Sequence, residues 1–94
     1  MGRLPTKKTI TALISDLSKP QILYASSSDG VFKSQNAGVS WQTMNNGLSD
    51  TKIAALALHL TQPLHLYAVT ANGTVFRSTD GAATWQRQGQ LPSE

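Results

Sequence analysis

The side chains able to do chemistry are few and scattered. His59 and His65 stand six positions apart, without the cysteines, further imidazoles or matching acids that a zinc site would need around them. The chain has no cysteine, which excludes disulfides, thiolate ligands and a thiol nucleophile. Serines are plentiful, but no serine, histidine and acid are spaced to suggest a triad. Glu94 is the only glutamate, which leaves few carboxylates for paired acid–base work. The chain therefore reads as a non-enzyme, with no catalytic residue, metal ligand or cofactor.

Composition narrows the partners in the same direction. With 39% hydrophobic and 14% charged residues, the chain is globular rather than disordered. The formal charge of +3 comes from eight scattered Lys and Arg against five acids, and only Lys7 and Lys8 are adjacent. Without a basic stripe or an aromatic platform beside one, nucleic acid is not an expected partner. No apolar run approaches the roughly 20 residues that a helix needs to span a bilayer. No signal-peptide pattern follows Arg3, Lys7 and Lys8 either, so a soluble, unexported chain with no membrane partner is expected. The compartment stays open.

The elements that must position these residues come from a repeat. Ser34-Gln35-Asn36-Ala37-Gly38-Val39-Ser40-Trp41 returns 44 positions later as Ser78-Thr79-Asp80-Gly81-Ala82-Ala83-Thr84-Trp85. The likeness extends upstream. Ile10, Ala12, Leu13 and Leu17 answer Ile53, Ala55, Leu56 and Leu60; Leu23-Tyr24-Ala25 answers Leu66-Tyr67-Ala68; Gly30-Val31-Phe32-Lys33 answers Gly73-Thr74-Val75-Phe76-Arg77 with one insertion. The ends also echo each other, Gly2-Arg3-Leu4-Pro5-Thr6 and Gly89-Gln90-Leu91-Pro92-Ser93. The whole is a single unit of two repeats of 43–44 residues, about 6–47 and about 49–91.

Each repeat predicts four strands. Ile10 to Leu17 is rich in β-branched residues and apolar on both alternating faces, as in a strand buried on both sides. Ile53 to Leu60 alone would pass for a helix, but the repeat assigns it the same strand. A proline turn is predicted at Ser18–Gln21 and at Thr61–Leu64, followed by strands over Ile22–Ser26 and His65–Thr70. Asp29-Gly30 and Asn72-Gly73 then signal hairpins into Val31–Ser34 and Thr74–Ser78. The octapeptide turns the chain into a short fourth strand near each tryptophan. Asn45 to Asp50 crosses to the next unit. Four antiparallel strands in this length is the arithmetic of a β-propeller blade.

Within the octapeptide, Ser34 and Ser78 with Asn36 and Asp80 can accept backbone N–H groups of the turn. Gly38 and Gly81 tolerate positive φ. Ser40, Thr84, Trp41 and Trp85 close it, and the indoles read as packing rather than as sugar platforms. Capping the turn also accounts for Asn36 and Asp80 better than calcium ligation. Asp16 and His59 occupy equivalent points near the end of the inner strand, where a propeller has its mouth, and are the candidate ligand-facing positions.

These residues resemble the Asp-box, or bacterial neuraminidase repeat, Ser-x-Asp-x-Gly-x-Thr-Trp. The flanking Leu-Tyr-Ala and Gly-Val-Phe-Lys-Ser resemble blades of bacterial propellers related to sortilin and to photosystem II assembly factors. Asn36 departs from the pattern at the Asp, and Ala82 stands where the Gly should be, with Gly81 one place early. The resemblance implies an all-β chain of two four-stranded antiparallel propeller blades, with the box on the periphery serving the fold. A sialidase-type centre would need an arginine cluster and a Tyr nucleophile with an acidic partner. Arg3, Arg77 and Arg87 cannot supply it.

Two blades leave an apolar face open at either end, and repeat arrays need about three or more units. Completion of the ring by homo-oligomerisation is expected, as a trimer of six blades ahead of a tetramer of eight. The echo of the two ends suggests an exchanged terminal strand. The expected function is a non-enzymatic scaffold or protein-interaction module. The alternative is an oligomeric lectin-like propeller with a glycan ligand, and third comes a remnant of a glycoside hydrolase propeller.

Overall fold

A computed structural model describes residues 8–59, 61 and 64–90. Among these there are eight strands and no helix: β1 (Ala12–Asp16), β2 (Lys19–Ser27), β3 (Gly30–Ser34), β4 (Gln42–Thr43), β5 (Ile53–Leu58), β6 (Leu66–Thr70), β7 (Thr74–Ser78) and β8 (Gln86–Gln90). They form two antiparallel four-stranded sheets, ordered β1-β2-β3-β4 and β5-β6-β7-β8. The helix-like composition of Ile53–Leu58 is overridden because the run pairs in register with β6, Leu56 opposite Ala68 and Leu58 opposite Leu66. The inner strand of the second sheet thus matches that of the first, where Leu13 stands opposite Ala25.

Equivalent positions hold equivalent places in both sheets. Phe32 lies opposite Ala25 and Phe76 opposite Ala68. The β2–β3 and β6–β7 hairpins turn through Gly30 and Gly73, at φ +117° and +86°, conformations that glycine adopts without a side-chain clash. A methyl at Gly30 would stand 2.2 Å from Asn45 Oδ1, because Asn45 closes over the turn, accepting the Val31 N–H (2.8 Å) and donating to Asp29 O (3.1 Å). Asn45 to Asp50 thereby leaves the outer strand of the first sheet and enters the inner strand of the second, as the repeat predicts.

Two expectations need correction. The reversal after β1 lies at Leu17–Ser18, and Pro20 belongs to β2. Its missing N–H costs nothing in the ladder, because β3 pairs only with Leu23 to Ser27 and proline is tolerated near the start of a strand. Nor is the first inner strand buried on both sides. Its burial alternates, with Leu13 63% exposed, because one face of this sheet has no neighbouring sheet among the described residues. Pro63, Leu60 and the echoing segments Gly2–Thr6 and Leu91–Ser93 lie outside the described residues.

The core lies between the sheets. Tyr24 and Val31 from the first, with Ala12, Ile14 and Ile22 at their side, pack on Ile53, Leu56, Leu66, Ala68, Phe76 and Trp85 of the second. Burying such side chains is worth roughly 1.5–3 kcal/mol each before conformational entropy is counted.

Candidate functional site

The octapeptide turns are built alike. In the first, Ser34 Oγ accepts the Gly38 N–H at 2.8 Å and donates to Asn36 Oδ1 at 3.0 Å, and Asn36 Oδ1 accepts the Ser40 N–H at 2.9 Å. In the second, Ser78 Oγ accepts the Ala82 N–H at 2.9 Å and donates to Asp80 Oδ1 at 2.8 Å, while Asp80 accepts the Thr84 N–H (2.9 Å) and hydroxyl (2.5 Å). Both serines are buried. Two successive residues hold positive φ in each turn, Ala37 and Gly38 at +60° and +90°, Gly81 and Ala82 at +69° and +73°. Either of the two places therefore accepts the glycine, which is why its shift by one residue leaves the turn intact. Each turn is tied to its own blade, Ala37 N–H to Gln21 O in β2 and Gly81 N–H to Leu64 O ahead of β6, both at 2.9 Å.

The two turns differ in charge. The Thr84 hydroxyl, with further help from the Thr84 N–H, holds the Asp80 carboxyl below the usual carboxylate range. A depressed folded-state value contributes stability that is present above the unfolded value and is lost as pH falls through the folded one. The loss begins near pH 3.8, the ordinary value, and deepens below it. Asn36 does the same work without a charge. Asp80→Asn is expected to flatten the acid limb of a melting-temperature profile between about pH 2 and 4, leaving the part due to Asp16. An unchanged acid limb would show that Asp80 plays no part in it.

Asp16 and His59 are brought to one place. They line a groove of about 680 Å³ at the ends of β1 and β5, together with Leu13, Leu17 and Leu58. Both, however, already cap their turns. Asp16 is 3% exposed, and its Oδ1 accepts the Ser18 N–H at 2.9 Å and the Ser18 hydroxyl at 2.7 Å. The Ser18 hydroxyl is the main cause that holds its pKa down, against the opposing effect of burial. His59 Nδ1 accepts the Thr61 N–H at 3.2 Å, the same two-residue reach, and its ring lies edge-on to His65, centroids 6.0 Å apart. The groove is therefore walled by leucines, with its two candidate polar groups engaged locally. No group of three or more His, Cys, Asp or Glu residues among the described ones could hold a metal ion.

The contact between the sheets is the other constructed feature, and sequence spacing alone does not reveal it. The Trp85 indole N–H donates to Met44 O at 2.9 Å, and its backbone N–H to Asn46 O at 2.8 Å. Thr11 Oγ1 donates to Ile53 O at 2.9 Å. Lys33 lies over the Tyr24 ring, 5.5 Å from its centroid, and its Nζ donates to Gly81 O at 3.2 Å. Burial here lowers the Lys33 pKa, opposed by Asp16 and Asp80, and raises that of Tyr24 to about 12.

Equivalent residues outside this contact are left uncovered. Leu56 is 8% exposed and its counterpart Leu13 63%; Ile53 is 2% exposed and Ile10 38%. Leu23 and Trp41 are half-buried where Leu66 and Trp85 are buried. On the far side of the second sheet, Tyr67 and Val75 are half-buried where Tyr24 and Val31 are buried. One face of each sheet meets the other; the opposite faces carry the same residue types, and no second sheet covers them among the described residues.

No protein-family model matches this chain, and no curated protein does. Among solved structures it is similar to an ancestral GH74 enzyme, with a TM-score of 0.76 and 25% identity over 85% of this chain and 10% of that one. It is also similar to YCF48 from Cyanidioschyzon merolae, with a TM-score of 0.72 and 17% identity over 97% of this chain and 27% of that one. The chain thus spans about a tenth and about a quarter of the two solved chains. Both neighbours are propellers. With no helix among the described residues, two meandering four-stranded sheets and faces that stack one on the next, the chain is a pair of β-propeller blades.

Proposed function

We propose that this pair of blades is a non-enzymatic scaffold or protein-interaction module that closes into a ring with further copies of itself. The observation that carries the reading is the mismatch in exposure between equivalent residues, above all Leu13 at 63% against Leu56 at 8%. Apolar surface left open on a blade face is an association surface. A ring of such chains repeats one heterologous contact about an axis, and its inner strands bring copies of the Leu13, Leu17 and Leu58 groove to one mouth, where a protein partner can be held. The local engagement of Asp16 and His59 supports a binding rather than a catalytic role for that mouth.

The absolute mass in solution tests this, by light scattering behind a sizing column over a range of concentrations. Three or four times the monomer mass of 10.1 kDa, constant on dilution, is the expected result. A folded chain that stays at the monomer mass throughout would remove the ring. For the ring itself, turnover of an aryl glycoside would remove the non-enzymatic assignment, and selective retention on a glycan array would replace the protein partner with a sugar.

A further inference from the structure

Lys33 and Arg77 are equivalent, each on the third strand of its blade directly before the buried serine. Lys33 lies over Tyr24 and Arg77 over Tyr67, the latter with its guanidinium carbon 5.9 Å from the ring centroid. Their surroundings then diverge. Lys33 reaches across the blade contact to the carbonyl of Gly81. Arg77 faces the open side of the second blade, where its Nη2 meets His65 Nδ1 at 3.4 Å while its Nε is buried with no partner among the described residues. A buried donor without an acceptor is destabilising, and the guanidinium fork has further N–H donors to offer.

The acceptor that Lys33 uses has a counterpart too. Gly81 is the third residue after Ser78, and the third after Ser34 is Ala37, held at nearly the same positive φ and by the same backbone tie. Ala37 is exposed. It lies on the blade whose open face carries Ile10, Leu13 and Trp41, and the Trp41 indole makes no hydrogen bond among the described residues, whereas that of Trp85 bonds across the blade contact.

Resting on the self-assembly proposed above, we infer that Arg77 locks this chain head to tail onto a second copy of itself, its guanidinium donating to the carbonyl oxygen of Ala37 in that copy. The apolar remainder is matched likewise, with Tyr67, Val69 and Val75 of one copy covering Ile10, Leu13 and Leu23 of the next. Two details are not repeated. Thr11, which donates to Ile53 O, has Ala54 as its counterpart, so that tie is absent between copies. Ala37 also adds a methyl; a methyl built on Gly81 would stand 3.1 Å from Lys33 Nζ, and the longer guanidinium can reach the carbonyl from further out.

The test uses the full chain and variants at either open face, compared by light-scattering mass, with tryptophan emission reporting folding. Arg77→Glu on one face and Leu13→Glu on the other are each expected to give a folded chain of monomer mass, while Arg77→Lys, which reproduces the internal contact, keeps the wild-type mass. Mixed in equal amounts, the two Glu variants still hold one sound face each. They are expected to pair as a heterodimer of twice the monomer mass, an outcome that a two-fold symmetric association cannot produce. An Arg77→Glu chain that assembles like wild type overturns the lock and leaves the ring standing. Glu variants that fail to pair in the mixture overturn the head-to-tail arrangement. A wild-type chain that never rises above the monomer mass removes the ring reading itself.

Discussion

Phe76→Ala is expected to cost about 3–5 kcal/mol and to abolish the cooperative unfolding transition. Phe76 is 1% exposed and sits where both sources of stability meet. Within its sheet it stands opposite Ala68 on one side and Arg87 on the other; across the blade contact it belongs to the cluster with Tyr24 and Val31. Ala68 cannot grow to fill the space, and the first sheet cannot move in while Lys33, Trp85 and Thr11 hold the two sheets apart at fixed spacing. A small domain has only about 5–15 kcal/mol in total, so the lost share is large. Urea unfolding followed by tryptophan emission checks it. Phe32 is equally buried but lies outside that cluster. A loss at Phe76 no larger than that of Phe32→Ala in the isolated chain would mean that contact between the blades contributes little.

The second large effect is expected at Gly47, and it arises in the backbone rather than in the core. Gly47 lies in the crossing between blades at φ +94°, and a methyl there would stand 2.2 Å from the Trp85 carbonyl oxygen and 3.0 Å from its nitrogen. No rotamer relieves a clash between a Cβ and a backbone. Gly47→Ala must therefore push the crossing away from Trp85 and break the Trp85 N–H to Asn46 O bond. Strained backbone costs roughly 1–3 kcal/mol and a lost hydrogen bond about 0.5–1.5 kcal/mol. The expected signature is specific: the Trp85 emission shifts to the red before the sheets themselves unfold. Gly89→Ala is the control, since a methyl there meets nothing within 4 Å; if both substitutions melt alike, the close approach at Gly47 is not what matters.

What is legible in the sequence, and what is not, follows from the kind of information each feature needs. Ile53 to Leu58 reads as a helix from its own composition, and only its counterpart in the first repeat, with Thr11 and Ile14, makes it a strand. The octapeptide turns are legible because their hydrogen bonds reach only two to four residues along the chain. Pro20 misleads because the need for its N–H depends on which neighbouring strand reaches it, a matter of register. The exposed face of β1 misleads for a related reason: apolar residues on both sides do describe a strand meant for burial, but the described residues supply only one of the two covers. Asp16 and His59 are found by equivalence, and they do share a groove; their capping of the turn depends on where Ser18 and Thr61 fall after the reversal. That Lys33 reaches across the blade contact to Gly81 while Arg77 lies over Tyr67 away from it cannot be read at all, since nothing in their spacing tells which face of each blade meets the other.

The outer rim carries a consequence of its own. A strand at the edge of a sheet offers unpaired backbone groups to any passing strand and can seed fibrous aggregation. Here β4 is only two residues long, and β8 reads Gln-Arg-Gln-Gly-Gln, with a charge at Arg87, a glycine at Gly89 and an irregular register against β7 between Val75 and Phe76. Shortness, charge and a bulge are each features that blunt an edge. Growth by adding strands is thus discouraged along the very direction in which it would have no end.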